Sequence, residues 1–301
     1  MEDKIRFNGR YNFKKNRNLY IMLLPFMLVF TVFTLLPVGF SMIVSLTEYN
    51  VISPPRWAGF NNFRRLFLED HLFTIALRNT LVFAIATGPV AYMLAFFIAW
   101  LLNELPAKLR AFFTVVFYAP SMSGAAAITL FAIFFSNDPN GWLNALLLRN
   151  GIITERILFT EDRNFMMPIE IGIQLWMSMG VGFLAFVGGL QTIDRSQIEA
   201  GYIDGIKNRW QELWFIILPN MRTILMFGAV LAITGAFSAS ASAVTGFPSA
   251  GYHTHTLLNH MTDYGNIRME LGYASAISIV LLAMMLGANK LIQKFLRRIG
   301  T

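Results

Sequence analysis

The chain has 301 residues, is 55% hydrophobic and only 14% charged, and has a mean hydropathy of +0.53; an average soluble domain is roughly 25% charged. A soluble core of this size cannot hide so much apolar surface, so the composition excludes a soluble domain and points to an integral membrane protein. The net charge of +7 collects at the ends of apolar segments, unlike a nucleic-acid binder, and the absence of Cys excludes disulfides, thiolate catalysis and Cys-ligated metals.

A spanning helix needs about 20 mostly apolar residues. Six segments qualify, at about 19–46, 79–102, 111–135, 169–190, 221–246 and 271–293. The first follows a basic flank, as a signal peptide would, but it is longer than a signal h-region and no small-residue cleavage site follows, so it reads as a retained helix. Loop 47–78 holds WAGFNNFRRLF, whose aromatics and basic residues suit an interfacial helix, and NDPNGWLN at 137–144 reads as a turn. Pro25, Pro37, Pro89 and Pro120 each remove a backbone bond, and simple shape is favoured over gating as their role. The small-residue runs SGAAA (123–127) and SASASA (238–243) suit close helix contact or a cavity wall equally.

Orientation follows from the Lys and Arg distribution. The N-terminal tail, the second loop, the 191–220 loop and the C-terminal tail together carry sixteen, the opposite side seven. Both termini and the 191–220 loop are therefore expected in the cytoplasm. That divides the chain into a basic tail (1–18), a permease domain (19–296) with a cytoplasmic loop (191–220), and a short tail (297–301).

The 191–220 loop is longer than a bundle connector needs. Ser196-Gln197-Ile198-Glu199 fits a capping box, and Ile198, Tyr202 and Ile206 give one apolar stripe. Gly205 weakens that helix near its end. Asn208 and Gln211 offer a second start, with Trp210, Leu213, Trp214 and Ile217 as its apolar side until Pro219. Two short amphipathic helices at the inner interface are predicted. On the residues alone, Glu199 as a plain cap and Glu199 as a functional group stand level.

The wider pattern separates them. EAGYIDGIKNRWQELWFIILP (199–219) resembles the EAA loop of ABC importer permeases: Glu-Ala-x-x-x-Asp-Gly, and later Leu-Pro. In the carbohydrate branch the motif commonly reads E-A-A-x-x-D-G-A, and this chain departs from it at Gly201 and Ile206. The resemblance continues through SMIVSLTEYN, YAPSMSGAAAI, NGWLNALL and GLQTIDRSQIEAG, and so covers nearly the whole chain. Without the large periplasmic domain of the maltose permease subunit, the chain looks closer to the smaller oligosaccharide and glycerol-phosphate permeases.

The resemblance implies an all-α membrane protein with six transmembrane helices and the type I ABC importer permease fold, set in a bacterial plasma membrane. It implies translocation of a carbohydrate, of oligosaccharide size, by alternating access. The implied partners are a homologous second permease, two cytoplasmic ATPase subunits that bind ATP and Mg, and an extracytoplasmic solute-binding protein. No G-x-x-x-x-G-K-[ST] run is present, so no P-loop, cofactor or catalytic residue is expected in this chain. Glu199, Ala200, Gly201, Asp204, Gly205, Leu218 and Pro219 would couple to the ATPase. Gln174, Trp176, Ser178, Thr234, Phe237 and Ser238 match stretches that line the solute cavity in the family.

His253, His255 and His260 form an H-x-H plus a third His; with no Cys and no carboxylate between them, a polar loop facing a binding protein is favoured over a metal site. A self-contained carrier or channel for a small polar solute would want buried ionisable groups. A membrane enzyme would want a Ser/His pair or paired carboxylates at membrane depth. The acids read as lying in loops or at helix ends, so neither is favoured.

Overall fold

The computed structural model describes residues 17–296, so most of the basic tail 1–18 and the whole of 297–301 lie outside the described residues. Within them the chain is mostly helical, with one two-stranded pairing and irregular stretches at 150–162 and 239–249. The first span is α1 (Arg17–Val44), continuous but for one wide π-turn at Thr31–Leu35. Pro37 explains the turn: its ring lacks an N–H and crowds the carbonyl four residues back, and a wider turn relieves both.

A hairpin of β1 (Thr47–Glu48) and β2 (Arg56–Trp57) follows, then α2 (Asn61–Leu68) and the long α3 (His71–Asn103). Asp70 caps α3 by accepting from the Phe73 N–H. Next come α4 (Ala107–Ser123), α5 (Ala125–Phe134), α6 (Trp142–Arg149), α7 (Arg163–Met177) and α8 (Val181–Gln191). The short α9 (Arg195–Ile203) precedes α10 (Arg209–Asn220), α11 (Arg222–Ser238), α12 (Leu257–Thr262) and α13 (Leu271–Leu296).

By length and apolarity, α1, α3 and α13 are each sufficient to cross a membrane, and three bent pairs raise the number of candidate spans to as many as six. The expected third span breaks at Gly124, where φ is +45°. The expected fourth bends by 43° between α7 and α8, at Gly180. The expected fifth span is shorter than its apolar run: α11 stops at Ser238, and residues 239–246 leave the helix. The small residues there have little side chain to bury and weak reason to continue it.

Helix α3 runs through both packed clusters. Toward its start, Phe73, Ala76 and Ala84 meet Ile233, Phe237, Tyr273 and Ile277. Toward its end, Ala95, Ala99 and Trp100 meet Phe183, Phe186, Leu213 and Met221. Lipid offers no hydrophobic drive between helices, so close approach by small residues does the work. Gly228 illustrates it: a Cβ there would collide with the Phe186 ring, which itself stands edge-on to Tyr92 and Phe96.

Candidate functional site: a coupling loop and a membrane cavity

The 191–220 segment folds as two short helices, with corrected details. Asp194, two residues earlier than expected, caps α9 by accepting from the Ser196 N–H, so Ser196 sits inside the helix and makes no cap. An Asp at that site is as good a cap as Ser and is already extended, so the earlier residue takes the role. Asn208 does cap α10, accepting from Gln211 N at 2.9 Å, and the Gln211 side chain accepts in return from Lys207 N at 2.8 Å.

The apolar side of α10 also differs. Leu213 and Ile217 are buried with Ile216, whereas Trp210 and Trp214 stay exposed. A π-turn at Leu213–Ile217, just ahead of Pro219, inserts a residue and moves the stripe. Leu218 packs partly against the Leu213–Met221 cluster while Pro219 is exposed.

Glu212 holds this unit together, and the sequence reading did not single it out. Its carboxylate is only 2% exposed; it accepts from the Tyr202 hydroxyl at 2.8 Å and from Arg209 at 2.9 Å. Arg209 reaches on to Glu104, just beyond the end of α3, at 2.7 Å. The hydrogen bond to Glu212 holds the Tyr202 phenol above its ordinary range. The available signal was an acid three residues after an arginine, inside an apolar stripe.

Glu199 and Asp204, by contrast, make no side-chain hydrogen bond or ion pair among the described residues, and both are exposed. Ala200, Gly201, Asp204 and Gly205 line an open groove of about 600 Å³ with Phe215 and Ile216. Gly205 has φ of +102°, which ends the helix and suits glycine. At Gly201 a Cβ would lie 2.5 Å from Ile216 and 3.0 Å from Ile206, so glycine at 201 makes room for the larger residue at 206. The two departures from the motif thus compensate each other.

The second feature is a cavity of about 300 Å³ between α3, α7, α8 and α11. Gln174 and Ser178, one turn apart on a single face of the fourth span, line it together with Thr87 and Tyr92. Trp176 faces elsewhere, half-exposed and edge-on to Phe131 at 5.1 Å. From α11 the wall is Gly228, Leu231, Ala232, Gly235 and Ala236; Thr234 and Ser238 are not in it, and Phe237 is buried in the other cluster. Tyr92 and Thr87 were missed because a hydroxyl on a long apolar helix carries no periodic signal.

At the end of the bundle remote from α9, the histidines form a buried chain. His260 Nε2 lies 3.0 Å from Asp70 Oδ2, and His260 Nδ1 lies 3.0 Å from His255 Nε2. His253 takes no part in it. Tyr273 donates to the same Asp70 oxygen at 2.6 Å. Burial pushes the Asp70 carboxyl up, but the bonds from His260 and Tyr273 win and hold it well below the usual range.

Burial, and then His260 alongside, lower His255 to about 4. The folded protein therefore binds fewer protons than the unfolded chain between pH 4 and 6.5. The His255 contribution to stability is full above pH 6.5 and is lost as the pH drops toward 4, by roughly 3 kcal/mol. Thermal unfolding across that range is expected to show this slope, and His255→Gln to flatten it.

The comparisons with known proteins bear on this geometry. Residues 91–301 match the family described as binding-protein-dependent transport system inner membrane component. The chain belongs to that family. It is 32% identical to "Probable ABC transporter permease protein YesP" of Bacillus subtilis (strain 168), over 91% of this chain and 91% of that one. It is 27% identical to the "Arabinooligosaccharides transport system permease protein AraP" of the same organism, over 89% and 84%. In fold it is similar to a permease chain of a bacterial alginate ABC transporter, solved with an alginate pentasaccharide-bound periplasmic protein. The TM-score is 0.78 and the identity 21%, over 96% of this chain and 97% of that one. The chain is therefore a multi-pass, all-α ABC importer permease, as its motifs imply.

Proposed function

We propose that this permease carries a carbohydrate, of oligosaccharide size, across a bacterial plasma membrane by alternating access driven by partner ATPases. The observation that carries the reading is the short helix α9, tied to α10 through Tyr202 and Glu212, with Glu199 and, just past its end, Asp204 exposed and without side-chain partners among the described residues. A short helix tied down on one face, with free charges beside an open groove, is built to be gripped. The Lys and Arg distribution supports a cytoplasmic position for this helix and both termini. Two ATPase subunits holding ATP and Mg would seat it, so hydrolysis belongs to them and not to this chain. The substrates for which its relatives are named, arabinooligosaccharides and alginate, support the carbohydrate class. A homologous second permease and an extracytoplasmic binding protein complete the assembly in this reading.

Within the bundle the solute would pass the Gln174–Ser178 face, where polar groups and the Tyr92 ring offer hydroxyl partners and a stacking surface. Replacing Gln174 by Ala is expected to raise the transport KM by about 2- to 10-fold, the worth of one neutral hydrogen bond. Trp176→Ala is expected to leave KM unchanged, since that ring faces away from the cavity. The broader test is solute-stimulated ATP hydrolysis by the reconstituted assembly, screened over mono- and oligosaccharides with its binding protein. Solute flux through the lone chain in liposomes would instead support a self-contained carrier.

A further inference from the structure

The fourth span carries an acid that the sequence reading placed at a helix end. The structure corrects this: α7 begins at Arg163, so Glu170 lies mid-helix, and it is 1% exposed. Among the described residues it has no cationic partner. Instead it reaches the stretch where the fifth span leaves its helix. Glu170 Oε1 accepts from the N–H groups of Val244 (2.9 Å) and Thr245 (2.8 Å) and from the Thr245 hydroxyl (3.0 Å). Glu170 Oε2 accepts from Ala243 N at 3.2 Å. Every partner donates, as a carboxylate requires.

Irregular backbone at membrane depth survives only where its polar groups are satisfied and where it is buried in protein or lines a cavity. Glu170 satisfies three of those N–H groups at once. Its own face of α7 continues, one turn on, to Gln174 in the cavity wall, and α11 supplies Gly235 and Ala236 to that wall just before the break. The clasp thus sits immediately beyond the cavity, on the side away from α9. It extends further: Thr245 Oγ1 meets Thr254 Oγ1 at 2.9 Å, and Thr254 adjoins the His255–His260–Asp70 chain.

We propose that Glu170 is a positioning residue for translocation, its carboxylate holding residues 239–245 as a closed partition between the cavity and the end of the bundle bearing the histidines. The proposal rests on the cavity being part of the solute path. The partition opens by release of a few hydrogen bonds rather than by movement of a whole helix. Glu170 fits this role better than that of an ion-coupling acid, because its bonds are all made within the chain.

The absence of Cys from this chain makes the test direct. Ser242→Cys places a single thiol in the partition, and its labelling by a water-soluble maleimide is followed on this chain in the full assembly in liposomes, without solute or nucleotide. Adding Glu170→Gln is expected to speed labelling by about tenfold or more, the worth of one hydrogen bond to a charged group. It is also expected to bring solute-stimulated ATP hydrolysis down toward the unstimulated rate. Thr245→Val, which removes one hydroxyl donor and keeps the carboxylate, is expected to act in the same direction more weakly, and decides the matter if Glu170→Gln does not assemble. Unchanged labelling in the variants that assemble overturns the proposal. Because labelling is read without solute, it judges the partition separately from the KM of Gln174→Ala, which judges the solute path.

Discussion

Glu199→Lys is expected to leave the transporter partly assembled yet abolish its solute-stimulated ATP hydrolysis. The side chain is exposed and unpartnered within the chain, so the reversal leaves α9 folded: the cap is Asp194, and no bond inside the helix depends on residue 199. What changes is the surface offered to an ATPase. Removing one partner of a desolvated charge pair costs about 2–5 kcal/mol, equivalent to roughly 30-fold or more in an equilibrium. Placing a like charge against the same site costs at least as much. Co-purification of the subunits and hydrolysis with and without solute measure the two halves of this expectation. Normal transport by Glu199→Lys would remove the coupling role.

Glu212→Ala tests the opposite face of the same unit. Here the exposed residues of α9 are untouched, but Tyr202 and Arg209 lose their common acceptor and only Arg209 retains a carboxylate, at Glu104. Amides 196–206 are expected to exchange with solvent about tenfold faster, as loss of one hydrogen bond to a charged group implies. Solute-stimulated hydrolysis is expected to fall with no change in nucleotide affinity of the partners, because force applied to a loosened helix is dissipated before it reaches α3. Glu212→Gln, which keeps an acceptor, is expected to lie between. Unaltered exchange at 196–206 would show that the remaining ties, the Asn220–Gln197 hydrogen bond at 2.8 Å and the packing of Gly201 on Ile216, suffice to seat the helix.

How much of this was readable in advance follows from which signals are local. The six apolar runs depend on composition alone, and each overlaps a candidate span or bent pair, although the pair at the fifth takes in Arg209–Asn220 of the loop and ends at Ser238. The motif at Glu199–Gly205 is contiguous, so its helix and its glycine stop were visible at once. The breaks at Gly124 and Gly180 were not, because a glycine in an apolar run serves close packing and chain reversal equally well. Glu170 shows the limit most plainly. Its partners lie more than seventy residues away and are backbone groups, which carry no side-chain signature. Gln174 and Ser178 were readable as a pair only through their spacing of four; Trp176, two residues from each, falls on the other side by the same geometry.

The π-turn at Leu213–Ile217 has a consequence for how the protein is aimed. Each residue of an α-helix advances the chain by about 100° around the axis. One surplus residue therefore sets everything before it about a quarter-turn out of phase with Leu218–Asn220. The azimuth at which α9 meets its surroundings is thus fixed by chain length at that point, and shortening it by one residue would re-aim every exposed acid of the loop while leaving its chemistry intact.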